Sequence, residues 1–284
     1  MSSIAENVKI AAQILHESGI SEPRREANSL MAFALRKDKA FLIAHPEYEL
    51  SREEQRRFQQ FLRRRAGREP FQHITGKQEF FGLDFIVTRD VLIPRPETEL
   101  IVENAIEILR DKENPVFGEV GVGSGCISVS ILHEVKTATA LGLEISEKAI
   151  EIARLNAENN QVSKRLNLKI SDVFAALQNE KFDLIVSNPP YISRADIETL
   201  QPEVKNYDPP EALTDGADGL SIIEEIIREA PRFLKPEGFL LLEIGINQAD
   251  KVREMLRAET WQSVEILPDL QGIPRTVKAR RKNV

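Results

Sequence analysis

The first seventy residues carry apolar positions at helical spacing. One such pattern begins near Ile4 and is stopped by Gly19, and a second opens at Pro23. A third begins after Ser51, a residue type that caps helix N-termini, and acidic residues follow it in the first turn. The pattern predicts a helical N-terminal region.

From Val116 onward, short apolar runs alternate with amphipathic segments. Strands are predicted near 116–121, 138–143, 166–170, 182–187, 238–244, 263–267 and 274–279. Helices are predicted near 125–134, 147–159, 219–234 and 247–258. This alternation is typical of an α/β fold with a mostly parallel sheet and helices on both faces. Because only Gly272-Ile273-Pro274 joins the last two strands, the final strand is expected to be antiparallel.

Two features join these halves. Residues 80–87 form two strand-like pieces around Gly82, which predicts a hairpin, and two prolines hold residues 93–99 extended. The predicted organisation is a helical domain over 1–75, a β-hairpin linker over 76–92 and an α/β domain over 93–284. Residues 192–218 predict a long loop that covers the active site.

Composition narrows the class of protein. The chain has 284 residues, 42% of them hydrophobic, and a net charge of −7, which argues against broad affinity for nucleic acid. No apolar run is long enough for a membrane span, and the N-terminus lacks a signal-peptide core. The single cysteine, Cys126, favours a reducing compartment and is interpreted as a packing residue. We therefore expect a cytoplasmic protein, and the four scattered histidines predict no metal site.

A glycine-rich loop follows the first strand of the α/β domain. Glycine allows a tight turn and the close approach of a ligand, and the next helix directs its N–H groups there. Glu144 ends the following strand, where a carboxylate can accept ribose hydroxyls, although it could instead cap a helix. Asp172 ends the third strand and could bind an adenine amino group or shape a turn, with Val173 as a wall. The loop residues are Gly121, Val122, Gly123, Ser124 and Gly125.

The most specific motif is Asn188-Pro189-Pro190-Tyr191, which follows the apolar run 182–187. The Asn188 side chain offers an acceptor oxygen, and Pro190 has no N–H to draw the Pro189 carbonyl into a local turn. Two acceptors beside the aromatic ring of Tyr191 form a cradle for a planar NH2 group. Next to a nucleotide-type loop, this cradle suggests methylation of a planar nitrogen.

At these residues the chain resembles class I S-adenosylmethionine-dependent methyltransferases. More narrowly, it resembles the release-factor glutamine N5-methyltransferases of the PrmC/HemK type, over nearly its whole length. The resemblance also rests on the segment 93–99, Ile-Pro-Arg-Pro-Glu-Thr-Glu, at its distance from the motif at 188–191. It implies a Rossmann-like seven-stranded sheet, mostly parallel with an antiparallel last strand, besides the helical domain and hairpin. The chain departs from the family pattern at Glu119, Val122, Glu144 and Val173, where Asp, Thr, Asp and an aromatic residue are usual.

The resemblance implies methyl transfer to the glutamine of a Gly-Gly-Gln motif in peptide chain release factors. Asn188 Oδ1 and the Pro189 carbonyl would accept both N–H bonds of that amide, and Tyr191 would pack on its plane. The catalytic residues are thus Asn188, Pro189, Pro190 and Tyr191. S-adenosylmethionine would contact Gly121, Val122, Gly123, Ser124, Gly125, Glu144, Asp172, Val173 and Asn188. The helical domain would recognise the release factor, and neither a membrane nor a nucleic acid substrate is expected.

Three alternatives remain open. Glutamine methylation of a ribosomal protein would use the same residues, and adenine-N6 methylation of nucleic acid would share the motif at 188–191. The third alternative is a non-catalytic scaffold with a relict cofactor site. Two local features have two interpretations each: the arginines of the third helix form a solvated face or a docking surface, and Glu97 and Thr98 close over the cofactor or begin a helix.

Overall fold

A computed structural model describes residues 2–283 of the chain. The chain forms two compact units. One comprises the chain up to Gly76 together with Gln201–Tyr207, and the other comprises Lys77–Leu200 and the chain from Asp208 onward. Among the described residues, no helix is long and apolar enough to cross a membrane.

The first unit is helical, as the apolar periodicity predicted. Its helices are α1 (Ile4–Glu17), α2 (Pro23–Leu35), α3 (Lys39–Ala44), α4 (Arg52–Ala66) and α5 (Phe71–Thr75). Capping boxes begin α1 at Ser3 and α4 at Ser51. In each box the serine hydroxyl accepts from the N–H of the third helical residue, a glutamate, whose carboxylate accepts from the serine N–H. The apolar faces of α1, α2 and α4 form one buried core. The short helices α3 and α5 lack the length that makes a periodic pattern recognisable.

The arginines of α4 do not form a single solvated face. Arg65 is 5% exposed and binds Glu26 and Glu203, and Arg68, which lies two residues beyond the end of α4, binds Glu203 at 2.5 Å. Arg56 and Arg63 are exposed. The interpretation of the whole set as solvated is therefore wrong, because the sequence could not show that Glu203, far along the chain, supplies a carboxylate to α4.

The second unit begins with a hairpin and continues as alternating strands and helices. Its elements are β1 (Lys77–Phe80), β2 (Leu83–Ile86), α6 (Glu99–Leu109), β3 (Val116–Val120), α7 (Cys126–Glu134), β4 (Thr139–Glu144), α8 (Glu147–Asn159), β5 (Leu166–Ile170), β6 (Phe182–Ser187), α10 (Ser221–Phe233), β7 (Leu234–Glu243), α11 (Ala249–Met255), β8 (Trp261–Pro268) and β9 (Pro274–Arg281). Helix α9 (Pro202–Tyr207) lies in the helical unit instead.

The sheet has the order β5-β4-β3-β6-β7-β9-β8. Strands β3 to β7 pair in parallel, and β9 is antiparallel to both β7 and β8. Successive residues of a strand face opposite sides of the sheet. Phe117 and Val120 of β3, three positions apart, therefore belong to different buried clusters. The seven-stranded sheet with an antiparallel last strand is confirmed, and so is the hairpin around Gly82.

The segment 192–218 is not one continuous loop. It contains short 3-10 turns at Asp196–Thr199 and Pro210–Ala212 as well as α9. In α9, Glu203 accepts hydrogen bonds from Arg65 and Arg68, and the Tyr207 hydroxyl donates to the Gly67 carbonyl at 2.7 Å. These contacts explain why Gln201–Tyr207 belongs to the helical unit.

One buried side chain joins the hairpin to the glycine-rich loop. Asn156 of α8 is fully buried, and its Oδ1 accepts from the Ile86 N–H at 2.7 Å. Its Nδ2 donates to the carbonyls of Ile86 at 3.0 Å and of Ser124 at 2.8 Å. A buried backbone group without a partner is costly, so this amide fixes both segments.

We expect Asn156→Ala to lower the free energy of unfolding by about 2–4 kcal/mol, because it leaves buried backbone groups without partners. Urea unfolding followed by circular dichroism measures the change. Asn159→Ala, an exposed asparagine on the same helix, is the matched control and should stay within about 0.5 kcal/mol of the parent. Equal effects of the two changes would contradict this role of Asn156.

The ion pairs of Glu203 predict a pH-dependent stability. Burial opposes the charged form of Glu203, but the hydrogen bonds from Arg68 and Arg65 outweigh it, so the pKa of Glu203 lies below its usual value. This contribution is fully present above the unfolded pKa of about 4.3 and is lost as the pH falls through the lower folded value. We expect Glu203→Gln to cost about 1 kcal/mol at pH 7, after allowance for solvent screening.

Urea unfolding of the parent and Glu203→Gln between pH 7 and pH 3.5 measures this difference, which should shrink below about pH 4. Glu22→Gln is the control, because Glu22 pairs with Arg25 where both side chains are mostly exposed, and it should change little. A difference for Glu203→Gln that does not depend on pH would contradict the ionic origin of the effect.

Candidate active site

A cavity of about 250 Å³ opens at the carboxyl ends of the parallel strands. It lies where the strand order reverses, since the chain proceeds from β3 outward to β4 and β5 and then returns to place β6 on the other side of β3. This is the position at which open α/β sheets bind ligands. The loops after β3, β4, β5 and β6 all contribute to its lining.

The glycine-rich loop forms one side of the cavity. Gly121, Gly123 and Gly125 have positive φ angles of 72°, 52° and 81°, which side chains with a Cβ rarely adopt. At Gly125 a Cβ would also lie 3.3 Å from the Cα of Ala153 in α8. The loop therefore needs glycine for its turn, as the sequence indicated, and Gly125 is also needed for packing against α8.

Glu144 at the end of β4 is tied to that loop. Its Oε2 accepts from the Gly123 N–H at 2.9 Å, and its Oε1 accepts from the N–H groups of Ile145 and Ser146. The side chain lines the cavity and is 9% exposed. A carboxylate has about four acceptor positions, so this one can still accept from a ligand. Ser146, not Glu144, caps α8 by accepting from the Ala149 N–H.

The turn after β5 brings Asp172 and Val173 to the cavity. Asp172 is exposed, whereas Val173 is buried. Val173 has a φ of 43°, an unusual value for a β-branched residue, and the Ser171 hydroxyl donates to its carbonyl at 3.0 Å. Strained backbone of this kind is concentrated at functional sites.

Asn188, Pro189 and Pro190, directly after β6, also line the cavity. The hydroxyl of Ser187 anchors the end of the strand by donating to the Val120 carbonyl at 2.7 Å. The Nδ2 of Asn188 donates to the Thr98 hydroxyl oxygen at 3.1 Å. The oxygen Oδ1 is therefore the end of the Asn188 amide that can accept from a ligand.

Tyr191 and Gly125 are outside the lining of the cavity as residues 2–283 form it. The Tyr191 hydroxyl donates to Glu243 Oε1 at 3.0 Å, and burial, more than the nearby carboxylate, raises the pKa of this phenol. Its carbonyl accepts from Gln248 at 2.9 Å, and a Cβ at Gly219 would lie 2.2 Å from that carbonyl oxygen. The structure thus holds the Tyr191 backbone firmly and directs its hydroxyl to Glu243.

Three further residues belong to the site. From the sequence, Thr98 had two interpretations, closure over the cofactor or the start of a helix. Thr98 is 2% exposed, lines the cavity and donates to Glu243 at 2.6 Å. Glu243 ends β7 and is 1% exposed; an acidic residue that closes an apolar run was the only hint of it. Glu119 lines the cavity with its carboxylate bound to Ser128, and burial raises the pKa of Glu119 to about 8.

Other residues considered from the sequence contribute little to this chemistry. Burial raises the pKa of the Cys126 thiol to about 12, so it is protonated, and the side chain packs against the core. Within residues 2–283, no group of three or more His, Cys, Asp or Glu could hold a metal ion.

Comparison with known proteins covers both units of the chain. The family model described as the PrmC N-terminal domain matches residues 6–76, and the model described as the methyltransferase small domain matches residues 98–203. Among solved structures, a methyltransferase from Pyrococcus furiosus has a TM-score of 0.54 at 20% identity, over 72% of this chain and 91% of that chain. That likeness supports the fold alone.

Proteins named release factor glutamine methyltransferase are similar over nearly the whole chain. The one from Geobacter sulfurreducens is 42% identical over 94% of this chain and 92% of the relative. The one from Cereibacter sphaeroides is 41% identical over 97% and 98% of the two chains, and the one from Koribacter versatilis is 38% identical over 95% and 96%. As its motifs predicted, the chain therefore belongs to the release factor glutamine methyltransferase family.

Proposed function

We propose that this methyltransferase transfers a methyl group from S-adenosylmethionine to the side-chain nitrogen N5 of the glutamine in the Gly-Gly-Gln motif of peptide chain release factors. The observation that carries the proposal is that Asn188 and Pro189 line the same cavity as the glycine-rich loop. The relatives' names supply the class of substrate. The reaction requires a site for a cofactor and a cradle for a planar amide, and both fit this cavity.

The residues of the cavity suit the parts of S-adenosylmethionine. The glycine-rich loop, Gly121 to Gly125, offers close backbone approach to the methionine part, and Glu144 offers its remaining acceptor position to a ribose hydroxyl. Asp172 would accept from the adenine amino group, with Val173 as an apolar wall. When bound, the cofactor supplies an electrophilic methyl group on a positively charged sulfur.

The substrate amide is a poor nucleophile, because its lone pair is delocalised into the carbonyl. Asn188 Oδ1 and the Pro189 carbonyl would accept its two N–H bonds, which fixes the plane of the amide and raises electron density on nitrogen. Most of the acceleration would come from orientation of the nitrogen toward the methyl group. A strong base is unnecessary, because the N-methylated amide loses its extra proton readily. Tyr191, the last residue of the motif, would help to hold Asn188 and Pro189 in place, because its hydroxyl donates to Glu243.

The helical unit would recognise the release factor, which is the role that the resemblance implies for the helical domain predicted over 1–75. Exposed arginines on α4, Arg56 and Arg63, offer charge for an acidic surface. Methylation of a ribosomal-protein glutamine would use the same cavity. Adenine-N6 methylation of nucleic acid is the less favoured alternative, because the net charge of −7 opposes binding to phosphates.

The decisive experiment is transfer of labelled methyl from S-adenosylmethionine to a purified release factor. A release factor with its Gly-Gly-Gln glutamine changed to alanine serves as the control. Label on the parent substrate alone would support the proposal. Label on a ribosomal protein or nucleic acid instead would replace the substrate, and no transfer to any of these would overturn the proposed activity.

We expect Asn188→Ala to lower kcat on the order of 10²–10³-fold, because it removes an acceptor that positions the amide. The affinity for S-adenosylmethionine, measured by calorimetric titration, should stay within about threefold, because glycine-loop and Glu144 contacts remain. A loss of cofactor affinity as large as the loss of kcat would contradict this division of roles.

The raised pKa of Glu119 predicts proton release when a cationic cofactor binds. A nearby positive charge favours the carboxylate, so below about pH 8 binding would expel the Glu119 proton. Affinity should therefore increase from pH 6 to pH 8. Titrations in two buffers of different ionisation enthalpy measure the protons released.

Glu119→Gln gives the baseline for that measurement, since the ligand's own α-amino group titrates near pH 8. A glutamine oxygen can still accept from Ser128, so the fold of the loop should persist. We expect proton release by the parent to exceed that by the variant. Equal release by the two proteins would exclude Glu119 as the source.

A further inference from the structure

A chain of three hydrogen bonds lies behind the Asn188 amide. Asn188 Nδ2 donates to Thr98 Oγ1 at 3.1 Å, Thr98 Oγ1 donates to Glu243 Oε2 at 2.6 Å, and the Tyr191 hydroxyl donates to Glu243 Oε1 at 3.0 Å. Thr98 is 2% and Glu243 is 1% exposed, so water does not compete for these bonds. The four residues come from the end of β6, the turn before α6 and the end of β7.

The direction of these bonds follows from the Thr98 hydroxyl. Thr98 has a single hydroxyl proton, and it donates that proton to Glu243 Oε2. The Thr98 oxygen is then an acceptor toward Asn188, and only the NH2 end of that amide can satisfy it. An amide turned by half a rotation would set two oxygen atoms against each other without a proton between them.

The surroundings of Glu243 act on its charge in opposite directions. Burial is the largest influence, so the pKa of Glu243 lies above its usual value. Glu97 also raises this pKa, whereas the hydroxyls of Thr98 and Tyr191 and the charge of Arg275 lower it. Each carboxylate oxygen receives one hydroxyl, which stabilises the accepting form.

The consequence appears at the cavity. With Nδ2 held by Thr98, Asn188 presents Oδ1 to a ligand, which attracts an NH2 group. With the amide reversed, Asn188 would present its own NH2 group, which would attract a carbonyl oxygen and repel the nitrogen to be methylated. The orientation of one amide thus decides which substrate atom faces the methyl donor.

We propose that Thr98 and Glu243 are positioning residues that hold the Asn188 amide with its oxygen toward the substrate, and so set the selectivity for an NH2 nucleophile. The inference rests on the proposed function for its substrate, but the hydrogen-bond chain itself does not depend on it. The Thr98 hydroxyl makes no capping hydrogen bond to α6, so it does not serve as the cap of that helix.

The first test compares Thr98→Val, which keeps the shape but removes the hydroxyl, with Thr98→Ser, which keeps the hydroxyl. We expect Thr98→Val to lower kcat about tenfold, on the order of one lost hydrogen bond, with little change in KM for S-adenosylmethionine. Thr98→Ser should retain kcat within about threefold of the parent. Equal losses in both variants, or parent-like kcat in Thr98→Val, would overturn the proposal.

The second test repeats Thr98→Val in an Asn188→Asp background. An aspartate presents an oxygen whichever way it turns, so the orienting hydroxyl should matter little in this background. We expect Thr98→Val to leave kcat nearly unchanged there. An equal relative decrease in kcat in both backgrounds would show that Thr98 acts on the protein structure instead.

A third measurement is independent of methyl transfer. The side-chain amide of Asn188 can be assigned by nitrogen-15 magnetic resonance from the signal lost in Asn188→Asp. We expect its protons to exchange with solvent slowly in the parent and in Thr98→Ser, and faster in Thr98→Val. Unchanged exchange would refute the proposed orientation even if Asn188→Asp has no activity, whereas failure of the parent to methylate any glutamine would count against the proposed function alone.

Discussion

Buried polar groups must find hydrogen-bond partners, and this constraint holds the carboxyl edge of the sheet in place. Asn156 satisfies the backbone of Ile86 and Ser124, and Glu144 satisfies the N–H of Gly123. Each bond joins segments that are distant along the chain. The loops around the cavity are therefore fixed by side chains from neighbouring elements rather than by regular secondary structure of their own.

The proposed chemistry depends on the same constraint. Transfer to an amide nitrogen needs little acid–base catalysis but a well-fixed geometry, because the nitrogen lone pair is directed perpendicular to the amide plane. The strand β6 delivers Asn188, and the hydroxyl of Thr98 and the carboxylate of Glu243 fix the end of the amide that faces the cavity. A buried carboxylate that would be costly if left alone becomes useful because two hydroxyls satisfy it.

The helical unit includes a segment from much later in the chain. Glu203 binds Arg65 and Arg68 of that unit, and the chain then returns to the methyltransferase unit at Asp208, which pairs with Arg95. Residues that line the cavity, beginning with Pro209, follow at once. The segment between the motif at 188–191 and these cavity residues thus includes Gln201–Tyr207, which belongs to the helical unit.

Much of the fold could be predicted because its signals are local. Apolar runs marked the seven strands, Ser51 marked the start of α4, and the short link at Gly272 to Pro274 marked the antiparallel last strand. The glycines of the loop and the motif at 188–191 indicated the family and several of the residues that line the cavity. The roles of these residues stay predictions. The short helices α3, α5 and α9 left too brief a pattern to be recognised.

The sequence by itself determined the strands and the longer helices, the family and the local chemistry of the motif at 188–191. Only the tertiary structure decided that Glu203 binds Arg65 of α4 and Arg68 just beyond it, and that Tyr191 directs its hydroxyl to Glu243. It also decided that Thr98 joins Asn188 to that carboxylate. The physical reason is that these contacts join residues 52 to 145 positions apart, and a hydrogen bond between distant residues leaves no periodic or local trace in the chain.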